Sequence, residues 1–411
     1  MKHIRYYIFL QDVFVLALSA FGGPQAHLGM LLQRMVEKRA YITEDELIEL
    51  NALCQILPGP TSTQTIIAIG YRKGGAYLAF MTLLVWALPA GAIMTALGIF
   101  VTYFQSIETE QFNLAKNTRF IQPMAIGFVS YAAYKISSKV ITTKTGWILV
   151  VLSSIIAYLL AHFYGHLKVT AFAFPLLLII GGIASARKYR QHKRIRDKGE
   201  ITIVWKNFIL FLAVFIVGGA ASAYFDLRLI KIFENFYRNG SLIFGGGQVL
   251  IPLLKGEFVD FKHWLSNEEF LSGISFVQAM PGPVFSLCGY IGALAMSDHG
   301  IGSQILGGAI ALAGIFLPGT FLIFFVLPMW NEVKKYRIVR ASIEGVTAVG
   351  SGLVIAAAIL LFNPIDTSPL TGTGLINLGL IVSTFLIMLW GKIPAPILIL
   401  TGLAAGFIFT I

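Results

Sequence analysis

The chain has 411 residues, of which 56% are hydrophobic and only 12% charged. Soluble domains carry about a quarter charged residues, so this composition excludes a water-soluble globular fold and points to a polytopic α-helical membrane protein. The formal net charge of +11 is read as basic loops facing anionic lipid headgroups, with membrane lipids and not nucleic acid as the partner.

The first apolar run begins near Ile8, carries Asp12, and leads into FGGPQAHL (21–28) with no small-residue cleavage site, so no cleavable signal is expected. Thr43-Glu44-Asp45-Glu46 then has the spacing of a capping box at a helix start. Gln55 precedes Pro58-Gly59-Pro60, which is followed by Thr61, Ser62 and Thr63. Single spans are predicted near 76–104, 119–134, 147–163 and 168–186. A dense basic run, RKYRQHKRIRDK (187–198), precedes one further apolar segment at 203–224. Residues 226–238 and 255–269 carry mixed charge and are predicted as loops. FGGGQVLI (244–251), the capping box Ser266–Glu269, Gln278 and Pro281-Gly282-Pro283 follow. Cys54 and Cys288 lie in apolar segments, so neither a disulfide nor a metal or other cofactor is expected.

The chain is written twice. A shift of 223 positions sets Phe21, Gly22, Gly23 and Gln25 on Phe244, Gly245, Gly246 and Gln248. The same shift sets Glu46 on Glu269, and Gln55, Pro58, Gly59 and Pro60 on Gln278, Pro281, Gly282 and Pro283. A six-residue insertion then aligns Leu88-Pro89 with Leu317-Pro318. This divides the chain into a first repeat (1–186), a basic loop with a linking transmembrane helix (187–223), and a second repeat (224–411). With the 187–198 loop cytoplasmic, equivalent loops of the two copies fall on opposite sides. The fold expected is two inverted-topology repeats of broken and full transmembrane helices.

Gly/Pro-interrupted segments at matching positions of two repeats point to a secondary transporter. In hydrocarbon an unpaired backbone group costs several kcal/mol, so irregular backbone survives only inside protein or along a cavity. Pro24, Pro60 and Pro283 read as half-helix starts, and such starts attract anions. Gln25, Gln55, Thr61, Ser62, Thr63, Gln248, Gln278 and Ser286 add neutral donors. The candidate substrate site therefore comprises Gly22, Gly23, Pro24, Gln25, His27, Gln55, Pro58, Gly59, Pro60, Thr61 and Ser62 with Gly245, Gly246, Gly247, Gln248, Gln278, Pro281, Gly282 and Pro283. The competing reading of any single break is a packing kink. Asp12, Glu46 and Glu269 are candidates for coupling to a proton, against an interfacial placement for Asp12 and helix caps for the two glutamates. A lipid-linked phosphate translocase, a passive anion channel and a membrane enzyme are the rival classes, and no catalytic motif supports the last. A homodimer is compatible with the sequence.

FGGP-x-A-H followed by Q-x-x-P-G-P, with FGGGQ and Q-x-x-P-G-P in the second half, resembles the long-chain form of the chromate ion transporter family over essentially the whole chain. The resemblance implies an inner-membrane protein that exports chromate at the expense of the proton-motive force. Sulfate, close to chromate in charge and shape, is the alternative cargo. Gly247 stands where symmetry would repeat Pro24, and Leu250 where it would repeat His27.

Overall fold

In a chain this apolar, backbone polar groups find partners only in one another, and the protein resolves this with helices. The computed structural model describes residues 2–20, 23–106, 119–140, 143–164, 169–187, 203, 205–243, 247–330, 336–362, 371–391, 393 and 395–408. No strand occurs among the described residues. In chain order the α-helices of the first half are α1 (Lys2–Ser19), α2 (Gly23–Leu31), α3 (Glu44–Ile56), α4 (Thr61–Ser106), α5 (Ile121–Val140), α6 (Lys144–Tyr164) and α7 (Val169–Ala186). Helix α8 (Lys206–Tyr224) links the halves. The second half contains α9 (Arg228–Leu242), α10 (Gly247–Leu254), α11 (Asn267–Ala279), α12 (Leu287–Leu294), α13 (Gly300–Val326), α14 (Arg337–Phe362), α15 (Gly372–Trp390) and α16 (Ala395–Ile408).

Among the described residues, four stretches are long and apolar enough to cross a membrane: Thr61–Tyr103, Lys206–Tyr224, Ser297–Met329 and Gly372–Trp390. Shorter apolar helices accompany them, including Lys144–Leu160 and Leu176–Ala186. The protein is a multi-pass, all-helical membrane protein. Helix α8 buries none of its residues and packs mainly along α9 and α13, so it lies at the periphery of the described structure.

The repeat seen in the sequence returns in the backbone. Helix α3 and α11 start and stop 223 positions apart, and so do two π-helical turns, Leu32–Lys38 and Lys255–Phe261. Ala40 (φ 47°) and His263 (φ 52°) take the same left-handed conformation at equivalent positions. Gly75 (φ 71°) breaks α4, and Gly300 (φ 79°) opens α13 in the same way. These glycines are 225 apart and Pro89 and Pro318 are 229 apart. The insertion is thus split, with four of its residues, about one helical turn, added between glycine and proline.

Two segments predicted as loops are helical instead. Residues 228–242 form α9, the counterpart of α1, and 255–261 form the second π-helical turn. Their charges are consumed by one another: Arg238 pairs with Glu234 and Glu257, Lys262 with Glu257, and Lys255 with Asp260. Charge counted residue by residue reads as solvent-facing loop, whereas charge neutralised in pairs is compatible with a buried helix.

Candidate functional site

The two Pro-Gly-Pro loops are each bound by the opposite repeat. Gly59 N–H donates to the Ile243 carbonyl at 2.7 Å, and Gly282 N–H donates to the Ala20 carbonyl at 2.9 Å. Donors and acceptors are each 223 positions apart, so the exchange is reciprocal, the mark of a two-fold relation between contacting units. Each acceptor is the residue just ahead of a Phe-Gly-Gly break. Gly59 (φ 122°) and Gly282 (φ 118°) occupy a backbone region open essentially to glycine alone. Neither has room for a side chain unless its neighbour shifts. A Cβ on Gly59 would lie 2.9 Å from Gln64 Nε2, and one on Gly282 would lie 2.6 Å from the Ala90 Cβ.

Pro60 and Pro283, expected as the first residues of half-helices, sit one residue ahead of the observed starts at Thr61 and Val284. The Pro60 carbonyl accepts from Gln64 N–H, and the Pro283 carbonyl from Ser286 N–H. Both prolines therefore act at the cap position, where the carbonyl is needed and the missing N–H costs nothing. Pro24 lies within the first turn of α2.

At the first break the hydroxyl, imidazole and indole groups satisfy one another, whereas the buried Gln64 Oε1 has no hydrogen-bond partner among the described residues. His27 is buried between the Ser62 Oγ, 3.0 Å from Nδ1, and the Ala20 carbonyl, 3.0 Å from Nε2. A carbonyl only accepts, so Nε2 carries the proton and Nδ1 accepts from the Ser62 hydroxyl. The Trp86 ring meets His27 edge to face at 5.5 Å, and Trp86 Nε1–H donates to Thr63 Oγ1 at 3.1 Å. Gln64 Nε2 donates to the Pro58 carbonyl at 2.7 Å, and the Thr65 hydroxyl to the Thr61 carbonyl at 2.8 Å. Thr61 and Ser62 are both buried.

The second break has the same backbone but different side chains. Leu250 stands for His27, Val284 for Thr61, Phe285 for Ser62 and Ser286 for Thr63. Of the expected site residues here, Gln278 is half-buried at the end of α11 and Pro281 and Gly282 are likewise partly exposed. Gly22, Gly245 and Gly246 lie outside the described residues, and so do the side chains of Pro24, Gln25, Gln55 and Gln248. Gly23 and Gly247 each begin a helix.

Beside each break lies a cluster of charges that the sequence reading did not assemble. In the first repeat Asp12 is 1% exposed and accepts from Arg34 Nε (2.9 Å) and Nη2 (2.6 Å) and from Tyr41 OH (2.7 Å). Arg39 Nε lies 2.8 Å from its second oxygen. In the second repeat Glu257 sits where Arg34 does, and it pairs with Arg238 at 3.2 Å and with Lys262 at 3.1 Å. Asn235, the counterpart of Asp12, accepts from Arg238 at 2.7 Å.

Glu46 and Glu269 both close capping boxes, accepting from the backbone N–H of Thr43 and Ser266 respectively. The Thr43 N–H, with the Arg72 charge adding to it, holds the Glu46 carboxyl below the usual carboxylate range. Arg72 also reaches Glu49, and these residues with Tyr71, Lys73, Leu327 and Pro328 line an open cavity of about 710 Å³. No group of three or more His, Cys, Asp or Glu side chains among the described residues is arranged to hold a metal ion.

The profile of the family described as chromate transporter matches residues 8–197 and again 230–407. The chain belongs to the chromate transporter family. The stretch left between the two matches contains α8. Chromate transporter sequences similar to this one include the probable chromate transport protein of Synechococcus elongatus, 27% identical over 391 residues, covering 95% of this chain and 92% of that one. The chromate transport protein of Cupriavidus metallidurans is 25% identical over 342 residues, covering 83% of this chain and 79% of that one. An uncharacterized transporter of Methanocaldococcus jannaschii is 24% identical over 403 residues, 96% of this chain and 92% of that one. No solved structure matches.

Proposed function

We propose that this protein is a secondary transporter of inorganic oxyanions, with chromate as its principal cargo, exporting it across the inner membrane at the expense of the proton-motive force. The observation that carries the reading is the reciprocal Gly59–Ile243 and Gly282–Ala20 exchange, which gathers the irregular backbone of both repeats at one centre. Irregular backbone inside a membrane protein is tolerated where it lines a cavity or is buried in protein, and paired half-helices near the midplane are a common way to bind a transported ion. Membership of the chromate transporter family, with relatives named as chromate transport proteins, supplies the cargo.

In this reading the two-fold relation lies in the membrane plane, so the repeats are inverted and the basic 187–198 loop is cytoplasmic. The anion is held by neutral donors: half-helix N–H groups, hydroxyls, and the amides of Gln25, Gln55, Gln248 and Gln278. Neutral coordination keeps release fast, as conduction requires. Rocking of the elements around the crossed loops exposes the site to one side and then the other. Asp12 serves as the coupling group: its protonation releases Arg34 and Arg39 and frees the π-helical turn that bears Arg34 to move.

The test is uptake of labelled chromate and labelled sulfate by the purified protein in sealed liposomes, with and without imposed pH and voltage gradients. Gradient-driven chromate flux that excess sulfate does not inhibit is expected. Sulfate-preferring flux would make chromate an incidental cargo, and flux of neither anion would overturn the reading. Inversion has its own check. Cysteines placed at the equivalent exposed positions Asp45 and Glu268 should be labelled from opposite sides of the membrane, and labelling of both from one side would contradict it.

A further inference from the structure

The two breaks share a backbone but not a hydrogen-bond inventory. At the first, the Thr63 hydroxyl accepts from Trp86 and the Ser62 hydroxyl is held by His27. At the second, Ser286 is fully buried and its hydroxyl has no hydrogen-bond partner among the described residues. The place of Trp86 is taken there by Ile315, which offers no donor. We infer that the oxyanion is bound at the second break, with the Ser286 hydroxyl as a direct donor, while the matching hydroxyls of the first break serve structure. The inference rests on the oxyanion-transport reading above and assigns the site within it.

Ser286 holds the N-cap position of α12, where a serine ordinarily turns its hydroxyl back onto the helix's own N–H groups. Here its backbone is already helical (φ −61°, ψ −20°) and it makes no such bond. A buried hydroxyl left unpaired is destabilising, and a ligand oxygen would relieve it. Ser286 lies in the first turn of the continuous helical stretch that Pro283 caps, near its positive end, which favours negative charge. The turn that carries Ser286, Val284–Ser286, packs against α4, α10 and α13, so a group bound there touches elements from both repeats. Donors of this kind suit a tetrahedral dianion whose oxygens all accept, chromate and sulfate alike.

The experiment is thermal unfolding of the full-length protein in detergent, titrated separately with sodium chromate and sodium sulfate against sodium chloride of equal ionic strength. Wild type should be stabilised by the transported anion, because a ligand that binds only the folded state raises its melting temperature. Ser286→Ala should melt at or above the wild-type temperature without anion, since it removes an unpaired hydroxyl. It should need about tenfold more anion for the same stabilisation, the loss of roughly one hydrogen bond to a charged group. A purely structural serine would do the reverse, lowering the anion-free melting temperature and leaving the anion response intact. Ser286→Cys supplies a second readout. Its thiol should react with a small charged thiol reagent above the baseline set by the buried Cys54 and Cys288, and the anion should protect it. A wild-type anion response retained in Ser286→Ala, or a Ser286→Cys thiol that neither reacts nor is protected, overturns the inference alone. A wild type that responds to neither anion overturns the oxyanion reading with it.

Discussion

The charge clusters beside the two breaks solve one problem with opposite signs. In the first repeat a single acid on the leading helix, Asp12, gathers two arginines and a tyrosine from the π-helical turn and the residues just after it. In the second, the acid, Glu257, is on the π-helical turn, and the leading helix contributes Arg238. What is retained is an ion pair bridging the leading helix to the turn beyond the break; which side carries which charge is exchanged. The clusters also differ in enclosure. Arg34 and Arg39 are 27% and 45% exposed, whereas Arg238 and Lys262 are 12% and 16%. The lesson is that the fold requires the bridge and tolerates either polarity, and that the second bridge is the costlier to break.

The largest effect is expected at Glu257. Glu257→Ala removes the acid partner of Lys262 and leaves Arg238 with Glu234 alone, both cations being mostly shielded from water, and removal of one partner of a buried pair costs about 3–5 kcal/mol. Asp12→Ala leaves cations that can rehydrate, so its cost should be roughly half of that range. Chemical or thermal unfolding of both variants in detergent measures the gap, and equal losses would erase the difference in enclosure. The comparison is sharpened by transplanting the second polarity into the first repeat. Asp12→Asn alone should destabilise, whereas Asp12→Asn with Val15→Arg and Arg34→Glu rebuilds the Asn235, Arg238 and Glu257 arrangement and should recover most of the loss. A triple variant less stable than the single one would show that polarity is fixed by surroundings.

Next in size are the crossed glycines. Gly59→Ala and Gly282→Ala force a left-handed residue, about 1–2 kcal/mol, and crowd Gln64 and Ala90 respectively. The losses should be similar in the two repeats. The smallest and most symmetric effect is at the caps, where Thr43→Ala and Ser266→Ala should each cost about 1 kcal/mol. The same unfolding assay reads both pairs, and a cost confined to one repeat would break the equivalence of α3 and α11.

The sequence showed the repeat wherever backbone conformation allows no substitute. Gly59 and Gly282 recur because their φ excludes other residues, and the Thr43–Glu46 and Ser266–Glu269 boxes recur because two side chains must answer two N–H groups. It hid the charge bridges, since Asp12 against Asn235 and Arg34 against Glu257 count as mismatches when identity is compared. The mixed-charge stretches 226–238 and 255–269 read as loops for a related reason: the pairing that permits burial joins the two stretches, Arg238 of the first meeting Glu257 of the second, which also holds Lys262. The His27–Ser62 contact joins positions 35 apart in different helices, and no local pattern announces it. The π-helical turns have no compositional mark of their own.

The central claim is that the crossed Pro-Gly-Pro loops form the path of the anion. Its most direct test is gradient-driven uptake of labelled chromate by wild type and by the Gly59→Ala, Gly282→Ala double variant, each reconstituted in sealed liposomes at matched protein content. The account predicts saturable flux for wild type and a fall of at least tenfold for the double variant while it remains folded and inserted. A double variant that transports chromate at the wild-type rate would contradict it.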